Sequence, residues 1–142
     1  MINVVLDTNI IISAAFSPSG KCAQIVNLLT GSEQTQLFYA RAILAEYQLV
    51  LSRRQLDISS QTQVSIMEAI VHEGKELEPA TSSISLIDES DRIFYDTALE
   101  AEAILITGHK KHFPDEAFVM TPAQFLNFWS NNDNKSSNSS IL

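Results

Sequence analysis

The sequence predicts an α/β fold in which helices cover both faces of a central, mostly parallel sheet, and three observations carry that expectation. Short apolar runs rich in β-branched residues recur along the chain, as expected for strands covered on both faces. Amphipathic stretches of helical spacing separate those runs, and such alternation points to parallel strands joined by helical crossovers. One acid, Asp7, interrupts the apolar stretch "VVLDTNIIIS" where the first run ends, and ligands in open α/β sheets bind beyond the carboxyl ends of the strands.

Taken in order, Ile2 to Leu6, "INVVL", is the first expected strand, and the Pro and Gly of "SPSG" mark a loop. "KCAQIVNLL" then sets Cys22, Ile25, Val26 and Leu29 at helical spacing, closed by "TGSE", and "TQLFYA" is a second strand. "RAILAEYQLVLSRR" reads as a helix with Ile43, Tyr47, Val50 and Leu51 in one stripe and the basic pair Arg53 and Arg54 suited to its C-terminal dipole. Residues 60–76 form a further expected helix with Val64, Met67, Ile70 and Val71 on one side, and "TSSISLID" predicts a strand ending near Asp88. "ESDRIFYDTALEAEA" is helical, with Asp88 as N-cap and Asp91 in the first turn, where negative charge is favoured. "ILIT" is a buried strand stopped by Gly108, "AFVM" the last strand, and "TPAQFLNFW" a final helix with Thr121 as cap and Pro122 at its first position. Residues 1–129 therefore read as one domain, and the polar segment 130–142, "SNNDNKSSNSSIL", as a disordered C-terminal tail.

A chain of 142 residues suits a single domain, and its apolar share of 45% is ordinary for a globular protein. No apolar run approaches the ~18 residues needed to span a bilayer, and the N-terminus lacks the features of a signal peptide. The expectation is a cytoplasmic protein with no membrane association. The single cysteine, Cys22, excludes an internal disulfide and a multi-cysteine metal site and reads as a small buried hydrophobe. A formal net charge of −8 repels nucleic acid, so action on RNA or DNA would need a basic partner or a divalent cation to bridge the charges.

A carboxylate among apolar residues needs a partner, and two further acids bear on what partners Asp7. Asp91 heads the stripe continued by Phe94, Tyr95 and Ala98, and Glu46 borders the stripe of its own helix. Singly, Asp91 is equally explained by the helix N-terminus, and Glu46 by an edge position whose head reaches solvent. Three acids leaning toward one end of a sheet are harder to explain structurally, because neighbouring like charges repel. A hard cation such as Mg²⁺ or Mn²⁺ removes the conflict, since it takes oxygen ligands, keeps several waters and binds phosphates. Asp7, Glu46 and Asp91 are thus candidate metal ligands and catalytic groups.

Four segments in order, "VVLDTNIIISA", "ILAEYQLVLSR", "DESDRIFYDTALEAEAILITGHKKHFP" and "TPAQFLNFW", resemble the PIN-domain family, and in particular its toxin components of toxin–antitoxin systems, the VapC type. The resemblance runs from about Ile2 to Trp129, making 1–129 a PIN-like domain. It implies a three-layer α/β/α sandwich and a ribonuclease whose acids hold Mg²⁺ or Mn²⁺, with an antitoxin protein as partner and homodimerisation as a family habit. Asp7, Glu46 and Asp91 match its first three acids, Asn9 the asparagine that supports the first, and Thr107 the hydroxyl residue before the last acidic position. Bottom-up, Asn9 fits a helix cap equally well. Where many relatives have a fourth acid this chain has His109, and imidazole is a poor Mg²⁺ ligand. A three-carboxylate site, a preference for Mn²⁺ and a weakened site are all open on that ground.

Asp96, about 140° round its helix from Asp91, and Asp115, beyond the "KKHFP" loop, read as surface acids. His109 and His112 in "HKKH" lack the cysteines of a structural zinc site. Lys110, Lys111 and Arg92, like Arg53 and Arg54, are either solvated surface charges or contacts for an RNA backbone; Phe128 and Trp129 read as packing for the last helix. Two other classes remain beside the nuclease. One is a PIN-like binding or regulatory subunit that has lost catalysis through His109. The other is a phosphotransfer domain, receiver or haloacid-dehalogenase type, which needs acids where the first strand is followed only by Asp7, Thr8 and Asn9.

Overall fold

The computed structural model describes the backbone of residues 1–141 and the side chains of residues 1–132. Its five strands are β1 (Ile2–Leu6), β2 (Thr35–Tyr39), β3 (Lys75–Glu76), β4 (Ile104–Ile106) and β5 (Val119–Met120). They form one sheet in the order β3-β2-β1-β4-β5, every neighbouring pair parallel. In β1 the consecutive residues Val4, Val5 and Leu6 are all buried, which is why that strand reads as an unbroken apolar run rather than an alternation. Val4 sits opposite Leu37 of β2 and Ile104 of β4, and Leu6 opposite Ile106.

Six α-helices are seen among the described residues: α1 (Thr8–Phe16), α2 (Lys21–Gly31), α3 (Arg41–Leu51), α4 (Ser60–Glu73), α5 (Arg92–Glu100) and α6 (Pro122–Ile141). They flank the sheet in a three-layer α/β/α sandwich around a core that includes Ile25, Ile43, Tyr47, Phe94 and Phe125. The expected N-terminal signals of α6 are present as a reciprocal capping box. Thr121 Oγ1 accepts from Gln124 N at 3.2 Å, and Gln124 Oε1 accepts from Thr121 N at 2.9 Å.

Chain order places the site. β1 lies centrally; the chain next builds outward on one side through β2 and β3, then crosses to the other through β4 and β5. The connections diverge between β1 and β4, and the crevice beyond their carboxyl ends is the binding position in folds of this kind. Asp7 and Thr107 are the residues that follow those two strands.

Three features depart from expectation. Residues 8–16, where the sequence suggests a helix only through a possible cap at Asn9, form α1; Asp7, not Asn9, caps it, and it buries Ile10, Ile11 and Ala14. "TSSISLID" is not a strand. Its backbone is taken up by side chains of α5, Ser82 N donating to Asp96 and the carbonyls of Ser82 and Ile84 accepting from Arg92. The sheet edge is instead the two-residue β3. Of the expected apolar side of α4 only Ile70 is buried, whereas Val64 and Val71 remain about half exposed. The backbone of α6 continues past residue 129, and the expected polar tail lies, from residue 133 on, outside the described side chains.

Gly74 ends α4 where backbone and ring crowd together. A Cβ there would stand 2.6 Å from both the Ile70 carbonyl and Tyr39 Cε2. Gly74→Ala should therefore destabilise the fold by about 1–3 kcal/mol, the usual cost of overpacking; an unchanged denaturant midpoint would show that Tyr39 can move aside.

Candidate active site

Asp7 begins the site because it does two jobs at one position. It is the N-cap of α1, with φ −67° and ψ 150°, and its carboxylate accepts from Thr8 N at 2.8 Å. The same group accepts from Asn9 Nδ2 at 3.0 Å and from the Thr107 hydroxyl at 2.6 Å. Only 7% exposed, it is a buried carboxylate stabilised by donors, the condition under which burial is tolerated.

Asn9 and Thr107 lock β1 to β4 through Asp7. Asn9 Oδ1 accepts from Gly108 N at 3.0 Å, and Thr107 Oγ1 accepts from His109 N at 3.0 Å. A Cβ on Gly108 would lie 3.2 Å from Asn9 Oδ1, so this approach favours glycine. The cap is therefore Asp7, and Asn9 spends its amide on holding Asp7 and the segment after β4.

Glu46, half-buried on α3, accepts from the Thr8 hydroxyl. The next residue, Tyr47, is fully buried and donates its phenol to the carbonyl of Leu6, the residue immediately before Asp7. Burial, then the charges of Asp7 and Glu46, push the Tyr47 phenol well above its ordinary range, so it remains a donor. Sequence patterning showed Tyr47 only as core; its neighbour Glu46 is the sole local hint of a polar role. Tyr47→Phe should cost about 1–3 kcal/mol by leaving a buried carbonyl short of a donor, read as a lower denaturant midpoint, with no change refuting the bond.

Asp91 closes a short 3-10 turn (Glu89–Asp91) capped by Asp88, whose carboxylate accepts from Ser90 N at 3.0 Å. Its side chain is 16% exposed. Burial raises its pKa first, then the charges of Asp7 and Asp88, with His112 opposing and Glu46 adding a smaller rise. Asp7, Glu46 and Asp91 thus lie close enough to feel one another. Asp91 Oδ2 is sheltered from solvent without any hydrogen-bond partner; the nearest basic atom is His112 Nδ1 at 3.7 Å.

Among the described residues no three His, Cys, Asp or Glu side chains approach closely enough to enclose an ion by themselves. The donor set nevertheless suits a hard divalent cation, which needs only one or two carboxylates when water and phosphate complete its shell. The unpartnered Asp91 oxygen is the atom such an ion would satisfy.

The remaining candidates separate. His109 touches the Asp7 network only through its backbone N–H, and its ring stacks on that of His112 at 5.1 Å and 20°. Lys110 Nζ reaches Gln124 Oε1 at 3.3 Å, and Lys111 is exposed. Arg92 is not the free phosphate contact considered from sequence. Its guanidinium donates to Glu89, to the carbonyl and hydroxyl of Ser82 and to the Ile84 carbonyl, clamping the loop that leads into Asp91. Asp96 is not a surface acid either: at 4% exposure it accepts from Ser82 N at 3.1 Å. The buried arc of α5 runs continuously from Phe94 to Ala98, so a 140° offset still points inward. Asp115 is exposed as expected.

Three comparisons bear on this geometry. The family description "PIN domain" matches residues 3–111. An uncharacterized protein of Methanocaldococcus jannaschii is 30% identical over 112 residues, 77% of this chain and 72% of that one. Among solved structures, a chain in the crystal structure of VapBC2 from Rickettsia felis bound to a DNA fragment from their promoter superposes with a TM-score of 0.55 at 16% identity, over 84% of this chain and 97% of that chain. At that identity the likeness is one of fold.

Proposed function

Because the chain belongs to the PIN-domain family, we propose that it is a divalent-metal-dependent endoribonuclease that hydrolyses RNA phosphodiester bonds as the toxin of a toxin–antitoxin pair. The observation that carries the reading is the buried, unpartnered oxygen of Asp91 within the field of Asp7 and Glu46 at the carboxyl ends of β1 and β4. Asp7, Glu46 and Asp91 would hold Mg²⁺ or Mn²⁺. When bound, the cation would activate water and stabilise the charge that develops on phosphate in an in-line displacement.

The protein's own groups supply order around it. Thr107 and Asn9 fix the position of Asp7 by donating to its carboxylate. Thr8 holds Glu46, and the Arg92 clamp on Ser82 and Ile84 steadies the turn that carries Asp91. Lys110 and Lys111, on the loop after β4, would meet an RNA backbone and offset a chain of net charge −8. An antitoxin would silence the enzyme by covering this crevice. The Rickettsia felis structure, VapBC2 bound to a DNA fragment from their promoter, supports such a partnership by analogy of fold. A homodimer and a cytoplasmic location belong to the same proposal; among the described residues no helix is long and apolar enough to cross a membrane.

One observation favours a second reading, a PIN-like binding or regulatory subunit with weakened catalysis. Among the described residues no three ligating side chains enclose an ion unaided, and by the resemblance His109 would occupy the fourth acidic position. Incubating a panel of structured RNAs with the purified chain in Mg²⁺, Mn²⁺ or chelator, beside Asp7→Asn, separates the two. Metal-dependent cutting lost in the variant supports the nuclease; metal binding without cutting supports the subunit.

A further inference from the structure

The acid at the fourth position is missing, but the structure brings a different residue to the site. His112, not His109, faces Asp91. Its Nδ1 lies 3.7 Å from the buried, unpartnered Asp91 Oδ2, too far for a hydrogen bond. Two ligands of one ion, each about 2.0–2.2 Å from it, stand roughly 3.0–3.5 Å apart at octahedral or tetrahedral angles. The observed gap is slightly wider than that, within reach of an ion pair when the imidazole is protonated.

His112 is held where it can serve. It ends a 3-10 turn (Lys110–His112) in which its own N–H donates to the His109 carbonyl at 2.9 Å, and the next residue, Phe113, is buried and anchors the turn. The His109 ring lies against it in a stack, which limits rotation of the imidazole. The side chain is 47% exposed, so an ion and its waters can reach the nitrogen. Among the described residues the Asp91 oxygen has no hydrogen-bond partner, and the imidazole of His112 also lies within the field of Asp88.

We propose that His112 and Asp91 together act as a mixed nitrogen–oxygen ligand pair that makes this site select nitrogen-accepting first-row cations, of the Co²⁺ and Zn²⁺ class, over Mg²⁺. This rests on the reading above that the crevice holds a divalent cation, and it names the class. The chemistry is that imidazole contributes strongly to borderline ions and little to Mg²⁺, which dehydrates reluctantly and prefers oxygen. His109 is a positioning residue that acts through the stack.

The test is direct metal binding, by titration calorimetry of the metal-stripped full chain with Co²⁺, Zn²⁺ and Mg²⁺, and by the visible spectrum of the Co²⁺ form. Wild type should bind Co²⁺ and Zn²⁺ at least about tenfold more tightly than Mg²⁺, and His112→Ala should lose at least about tenfold for those two while its Mg²⁺ affinity stays within about twofold. The Co²⁺ absorption bands should shift in His112→Ala and collapse in Asp91→Asn. A half-exposed histidine can be removed without unfolding, and a thermal melt of His112→Ala verifies it. Unchanged Co²⁺ affinity in His112→Ala overturns the proposal, and so does an equal loss for all three ions. Binding that survives Asp91→Asn but fails in His109→Ala also overturns it, because the ion then sits on a surface imidazole. RNA cleavage in Mg²⁺ with selectivity unaltered by His112→Ala would sink this inference and leave the nuclease standing. Selective binding that depends on His112, without cleavage in any metal, would do the reverse.

Discussion

Asp7→Asn is expected to abolish RNA cleavage while leaving the protein folded. Asparagine caps helices about as well as aspartate, so α1 should still start at Thr8, and the side chain keeps its volume. The carboxylate oxygen shared by Asn9 and Thr107 is the atom at risk. If the amide nitrogen takes its place, two donors face a third; if it turns the other way, it meets Thr8 N. Stability should therefore drop by about 1–3 kcal/mol, the cost of a mismatched buried hydrogen bond. The loss of one full charge from the cation site removes several kcal/mol of transition-state stabilisation, which is about a thousandfold or more in rate. Single-turnover cleavage of an RNA substrate measures it, and a variant that still cuts within tenfold of wild type removes Asp7 from the site.

Asp91→Asn should separate activity from stability in opposite directions. Burial and the charges of Asp7 and Asp88 raise the pKa of Asp91 in the folded protein, so the folded state holds that proton more tightly than the unfolded chain does. The stabilisation from protonated Asp91 is complete below the ordinary aspartate range and is lost as pH rises through the folded-state value. At neutral pH the metal-free protein therefore carries an unfavourable charge that asparagine removes. The melting temperature of Asp91→Asn in chelator should exceed that of wild type by a few degrees at pH 7, and the difference should shrink on acidification toward pH 4. Adding a divalent cation should raise the melting temperature of wild type and leave the variant almost unmoved, since an ion that binds only the folded state stabilises it by mass action. Cleavage should fall with the loss of the ligand. A variant less stable than wild type in chelator at pH 7 would mean that Asp91 is a structural anchor and not a strained functional acid.

A gain in stability in Asp91→Asn would make the acid informative. A carboxylate that weakens the resting fold is retained for some other reason, and perturbed groups of this kind concentrate where proteins bind or react.

The strands at β1 and β4, the helix stripes of α2, α3 and α5, and the Thr121–Gln124 cap of α6 were legible because each follows from local patterning: β-branched runs, helical spacing and cap chemistry act over a few residues. The acids Asp7, Glu46 and Asp91 were legible for the same reason, as charges set beside apolar stripes and, for Asp7, at the end of a strand. Where local signals conflict the reading fails. A helix after Asp7 was open only through a possible cap at Asn9, and the structure gives that cap to Asp7 and buries Ile10, Ile11 and Ala14. "TSSISLID" has strand character, yet Arg92 and Asp96 take its backbone groups before a neighbouring strand can.

By itself, then, the sequence determined the α/β class, the placing of Asp7 and Thr107 at strand ends, and an acidic pattern suited to a hard cation, because periodicity and strand termini are properties of neighbouring residues. Only the tertiary structure decided which groups meet. That Tyr47 and Thr107 brace Asp7, that Asp96 is buried under the loop Arg92 clamps, and that His112 rather than His109 faces Asp91 depend on contacts between segments far apart in sequence or on the shape of a single turn. Burial and charge at those meeting points, which no local pattern encodes, leave Asp91 with one oxygen unpaired.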